Sequence, residues 1–168
     1  MTNKNISQWI SDTFSENLSE VAVVTLRADG TVINGAAIRQ SPWSQNATGS
    51  INLLVKALDR TVSQLGRGKY KDMKFVAFLG GEKNLGVAGH FHGVLQFPAN
   101  AEKQEFMYDF DRLWSMKVSE ALKATLRTSV FFEPIVSKEV FSNYCSRYEG
   151  PTFSRGLDKV VVSRSLTW

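Results

Sequence analysis

Apolar residues along this chain follow two rhythms, one near 3.6 residues and one of 2, and the change between them marks out the elements. Ile6, Trp9, Ile10, Phe14 and Leu18 recur at helical spacing, which predicts an amphipathic helix over 4–18. The run VAVVTLRADGTVINGAAI then predicts two strands joined by a hairpin at Asp29-Gly30, because Asp-Gly accepts the backbone angles of a tight turn. A turn-rich stretch, QSPWSQNATGS, predicts a loop. Ser50 is placed to cap a helix whose stripe is Ile51, Leu54, Val55, Leu58, Val62 and Leu65, with Gly66 ending it.

RGKYKD follows as a basic loop with one aromatic residue. MKFVAFLGG is apolar on both faces and predicts a central strand. GGEKNLGVAG predicts a glycine-rich loop, and HFHGVLQF a strand that Pro98 ends. A second long helix is predicted over 100–124, with Phe106, Phe110, Leu113, Trp114, Val118, Ala121 and Leu122 on one side. TSVFFEPIV predicts a strand, and Ser137 caps a short helix, SKEVFSNYCSRY, stopped by Gly150-Pro151. The tail offers one short strand, Val160 to Val162. The expected fold class is α+β: a mainly antiparallel sheet with flanking helices, one domain over 1–168.

Composition narrows the class without naming a function. The 168 residues are 43% hydrophobic and 21% charged, enough to bury a core. No apolar run approaches a membrane span, and MTNKNISQWISDTF lacks the apolar block of a signal peptide, so a cytoplasmic protein with no membrane partner is expected. The lone Cys145 forms no internal disulfide, in keeping with a reducing compartment. Net charge is +4, a mild bias that suits a polyanionic partner.

Both histidines of the chain fall in one run, GHFHGVLQFP. In a strand His90 and His92 project from the same side with Cβ atoms ~6–7 Å apart, close enough to converge on one first-row metal ion or to cover a polar sheet face. Glu82, in the loop before them, is the candidate third ligand if the flanking strands form a hairpin; Gln96 continues their face as a weaker neighbour. In the short helix Tyr144 and Tyr148 are four residues apart and share a face, and Arg147 can reach Tyr144. Val140 and Phe141 share much of that stripe, and taken alone it reads better as packed core aromatics. A phenol with a pKa near ~10 is a poor nucleophile unaided, but a metal that polarises a phosphate and a guanidinium that grips it supply the help.

On these residues the chain resembles the HUH endonuclease superfamily, of the type that initiates rolling-circle replication of plasmids and small phages. GHFHGVLQFP is similar to that family's second motif, and NYCSRY to its third, the helix of the nucleophilic tyrosine. Glu82 stands where related initiators place a carboxylate ligand, and VAVVTL matches the plain strand of the first motif. Arg147 departs from the lysine that many initiators carry, and no helicase motif follows.

The resemblance implies an HUH-nuclease-like fold with a ferredoxin- or RRM-like core and a bacterial, phage or plasmid source. The implied activity is metal-dependent nicking and joining of single-stranded DNA at an origin or hairpin, with Mn²⁺ or Mg²⁺ as cofactor and a covalent 5′-phosphotyrosine intermediate. Tyr144, Tyr148 and Arg147 would be catalytic, His90, His92 and Glu82 metal ligands, and a host helicase and polymerase partners. Arg67, Lys69, Tyr70 and Lys71 in the basic loop, with Arg155 and Arg164 in the tail, are the candidate DNA contacts. A single-domain HUH transposase is the neighbouring reading. A cupin-like metal oxygenase and a non-catalytic nucleic-acid-binding domain are the readings from other classes; no third histidine supports the cupin.

Overall fold

A computed structural model of the chain describes residues 6–32, 48–80, 90–123, 126–137 and 160–166. The elements run in the order α1 (Ile6–Thr13), a 3₁₀ turn (Leu18–Glu20), β1 (Val21–Val32), α2 (Thr48–Leu65), β2 (Lys74–Gly80), β3 (His90–Gln96), α3 (Lys103–Leu122), β4 (Leu126–Pro134) and β5 (Val160–Val162). Five strands form one sheet in the order β4-β1-β3-β2-β5, and every pair of neighbours is antiparallel. The fold is α+β. Two β-α-β units interleave: β1-α2-β2 straddles β3, and β3-α3-β4 straddles β1.

Strand alternation gives the sheet two unlike faces. On the inner face Val24, Leu26, Phe75, Ala77, Phe91 and Leu95 pack against α2 and α3 through Leu54, Leu58, Phe106, Phe110 and Trp114. The fully buried Trp114 indole donates to the Arg27 carbonyl at 3.1 Å, tying α3 to β1. Glu102 caps α3, accepting from the Gln104 and Glu105 amides at 3.0 and 2.7 Å, and those bonds lower its pKa. At the other end of α3 Lys123 turns the chain with a left-handed φ of 52°.

On the outer face Val21, Val23, Val76 and Val94 form a second, smaller core with Ile10 and Phe14 of α1. Lys74 donates to the Thr13 carbonyl at 2.8 Å, and the Ser15 amide donates to Gln96 Oε1 at 3.0 Å. These bonds hold the end of α1 against the sheet.

Gly93 lets the middle strand lie close to its neighbour. A Cβ there would come within 2.6 Å of the Val76 carbonyl oxygen and 3.1 Å of the Ala77 Cβ.

Three expectations need correction. No hairpin forms at Asp29-Gly30: β1 runs through both residues and stays paired with β4. Its register shifts between Asp29 and Val32, so the pair makes a bulge in the ladder that β1 keeps with β4 through Val32. The first helix stops at Thr13 instead of reaching 18; Asn17, whose side chain accepts from the Ser19 amide, starts a separate 3₁₀ turn. The second helix begins at Thr48, so Ser50 lies within its first turn. Among the described residues no helix is long and apolar enough to cross a membrane.

Candidate metal and nucleic-acid site

The register places the histidine pair at one end of the outer face, on the middle strand of the sheet. Thr25 of β1 and Phe78 of β2 pair with His92; Arg27 and Gly80 pair with His90. Both rings are half-buried, while Phe91 between them points into the inner core. The strand period thus puts the two polar rings together and keeps the apolar residue between them dry.

The rings stand edge to face at 86°, with centroids 4.2 Å apart, and their Nε2 atoms meet at 2.5 Å. Two lone pairs do not tolerate that distance. A contact this close needs a proton on one Nε2 that the other accepts. Two imidazole nitrogens bound to one ion at ~2.1 Å stand about 3 Å apart, so a small opening of the rings fits the pair to a divalent metal. The Thr25 hydroxyl lies 3.3 Å from His92 Nδ1 across the β1–β3 ladder. In the tautomer with hydrogen on Nδ1, the hydroxyl accepts from His92, the arrangement that supports a metal-binding histidine.

Among the described residues no third histidine, cysteine, aspartate or glutamate joins the pair. Glu82 lies outside the described residues. Tyr144, Arg147, Tyr148 and Arg155 also lie outside the described residues.

Gln96 does not extend the site. It is four residues, or ~13 Å, along β3 from His92, and its carbonyl oxygen holds the Ser15 amide.

The basic loop lies at the far end of the sheet from the histidines, since it enters β2 at Lys74 and His90 pairs at Gly80. Tyr70 is buried and donates to Asp109 Oδ2 at 2.6 Å. Lys69 pairs with Glu105 at 2.5 Å and lies 3.8 Å from Asp109. Burial, then the Asp109 hydrogen bond, raises the Tyr70 pKa; the bond to Glu105 foremost raises that of Lys69. These two candidates therefore latch the loop to α3. Arg67 and Lys71 are exposed. Arg164 is exposed just beyond β5, on the same far side.

Residues that periodicity alone did not single out surround the histidines instead. Phe131 of β4 pairs with Thr25, and Ser129 pairs with Arg27, so Phe131, Thr25 and His92 form one row on the outer face. The Arg27 guanidinium lies 5.8 Å from the Phe131 ring centroid. Thr25 and Arg27 were visible in the sequence as alternate residues of the first strand, but only the register shows that they meet the histidines. Comparison of the chain with protein-family models, with curated proteins and with solved structures returns no match.

Proposed function

We propose that this chain is a metal-dependent nickase of single-stranded DNA that rejoins what it cuts, an HUH-type initiator of rolling-circle replication. The observation that carries the reading is the meeting of the His90 and His92 Nε2 atoms on one face of the middle strand β3. The interleaved β-α-β order, with that strand in the middle, agrees with the ferredoxin-like core expected of such enzymes.

His90 and His92, with Glu82 as third ligand, would hold Mn²⁺ or Mg²⁺, which when bound polarises the scissile phosphate as a Lewis acid. Thr25 orients His92. Tyr144 attacks the phosphorus through its hydroxyl oxygen and loses its proton to solvent. The P–O bond to the 3′ oxygen breaks, and that oxygen leaves as a 3′ hydroxyl after taking up a proton. The 5′ phosphate stays on the tyrosine as a diester, so the bond energy is kept for rejoining when a 3′ hydroxyl attacks in turn. Arg147 grips the phosphate, and Tyr148 serves a second transfer.

The test is a covalent adduct. Incubated with a labelled single-stranded oligonucleotide and Mn²⁺, the chain should yield a protein–DNA band that survives denaturation. Tyr144→Phe should abolish it and Tyr148→Phe should spare the first cut. Cutting by the double variant would sink the tyrosine mechanism.

A further inference from the structure

Beside the histidines, the outer face carries a large aromatic residue in the open. Phe131 is 49% exposed, and it lies on β4, the last strand of the sheet on that side among the described residues. Core chemistry does not explain it: its neighbours in sequence, Val130 and Phe132, turn inward and pack against the main core. Arg27 projects from the adjacent strand to hold its guanidinium near the ring, and both side chains keep their access to solvent. Arg127 is exposed further along the same face of β4. Phe131 stands two strand spacings, about 10 Å, from His92, with only Thr25 between them in the row.

We infer that Phe131 and Arg27 form a base-stacking subsite for single-stranded DNA, which lays the strand across β1 toward the histidine pair. The inference rests on the single-stranded DNA reading above and adds to it where the strand lies. A flat apolar ring half open to water accepts the π-face of an unpaired base, whatever its identity. The guanidinium beside it supplies the positive charge for the flanking phosphate. Chemistry of this kind selects an unpaired strand over a duplex, whose bases are already stacked on one another. Even at the ~3.4 Å per nucleotide of a duplex strand, about three nucleotides span the distance from Phe131 to His92. A base held on Phe131 therefore fixes which phosphate reaches the histidines. Glu133, the next outward residue of β4, pairs with Val23 and lies toward α1, so the favoured path avoids it.

The test measures binding of the full chain to a fluorescein-labelled 20-nucleotide oligo(dT) in EDTA, where metal chemistry is silent. Phe131→Leu should weaken binding by roughly 10-fold, and Phe131→Trp should retain it, since the larger ring still stacks. Arg27→Gln should lower affinity and reduce the slope of log K against log salt by about 0.7, one phosphate contact on a single strand. The matching duplex should bind more weakly than oligo(dT) and ignore Phe131→Leu. Wild-type affinity in Phe131→Leu, or equal losses in the leucine and tryptophan variants, overturns the subsite. A change in sedimentation of Phe131→Leu with oligo(dT) affinity intact overturns it too, in favour of a protein interface. Because Phe131 is half exposed, unchanged thermal melting is expected of both variants and is checked alongside. The adduct assay is read separately: if wild type forms no adduct while the Phe131 series behaves as stated, the nicking reading falls and the DNA subsite stands.

Discussion

Gln96 and His92 lie on the same face of the same strand, four residues apart, and their polar groups are used in opposite ways. At the Gln96 end, α1 closes over the sheet, the valines of three strands form a dry patch, and the amide oxygen is satisfied by the Ser15 backbone. At the His92 end, the polar groups point at one another: Nε2 to Nε2 across the pair, and the Thr25 hydroxyl to Nδ1. A buried polar group that closes a hydrogen bond to backbone holds a fold together. Two that converge on each other, with an arginine and an exposed aromatic ring beside them, suit something that arrives from outside. The proposed function rests on that difference.

The largest effect should come from removing the convergent pair. Titration of Mn²⁺ into wild type should show one site per chain, and the His90→Ala, His92→Ala double variant should show none. The same variant should form no DNA adduct and should melt close to wild type, because the rings are half-buried and belong to neither core. Equal Mn²⁺ binding by both proteins would erase the contrast between the two ends.

Next comes the strand that carries both ends. Gly93 looks like a weak point in a central strand, since glycine there gives up side-chain packing. The approach of the Val76 carbonyl reverses that expectation. Gly93→Ala should destabilise the chain by about 1–3 kcal/mol, through a forced separation of β2 from β3. Urea unfolding measures it. A variant as stable as wild type would mean that the strands part without penalty, and the alignment of His92 with Thr25 would lose its rigid base.

Sequence periodicity reached a good part of this. The strand at His90–Gln96, the buried stripe of α3 and the short strand at Val160–Val162 follow from local pattern, because each has a full period of unlike faces to read. Asp29-Gly30 misled, since a dipeptide fit for a hairpin is equally fit for a bulge, and which forms depends on strand β4, distant in sequence. The contacts of Tyr70 and Lys69 with α3 were hidden for a related reason. A basic loop with an aromatic residue does not show in sequence that α3 brings Glu105 and Asp109 against it. The site's surroundings, Thr25, Arg27 and Phe131, were hidden because cross-strand register is a property of the whole sheet.

Thr25 sharpens the comparison on a finer scale. If it orients His92 as Gln96 orients α1, its loss should be felt in metal affinity before stability. Thr25→Val keeps the branched shape and removes the hydroxyl, and should weaken Mn²⁺ binding by about 10-fold. Thr25→Ser should restore most of it. A valine variant with unchanged affinity would show that the 3.3 Å contact is incidental.

The smallest effect belongs to the far end of the sheet, where the Tyr70 latch should behave as structure and nothing else. Its hydroxyl donates to Asp109, so Tyr70→Phe should cost about 1–2 kcal/mol at neutral pH with oligo(dT) affinity unchanged. The loss should depend on pH in one direction. Burial and the Asp109 bond raise the phenol's pKa in the folded chain above its ordinary value near ~10. The protonated form is thus favoured by folding, and its contribution is fully present below pH ~10 and lost as pH rises through the raised value. Above that, a phenolate would face the Asp109 carboxylate with only Lys69 to offset it, and Lys69 itself holds its proton more tightly because of Glu105. Urea melts of wild type and Tyr70→Phe should therefore converge as the pH is taken from 7 to beyond 10. A gap that stays constant over that range would place the stabilisation in ring packing against Phe106, 4.9 Å away between centroids, and not in the hydroxyl. A loss of DNA affinity in Tyr70→Phe would return the basic loop to the binding surface and remove the functional contrast between the two ends of the sheet.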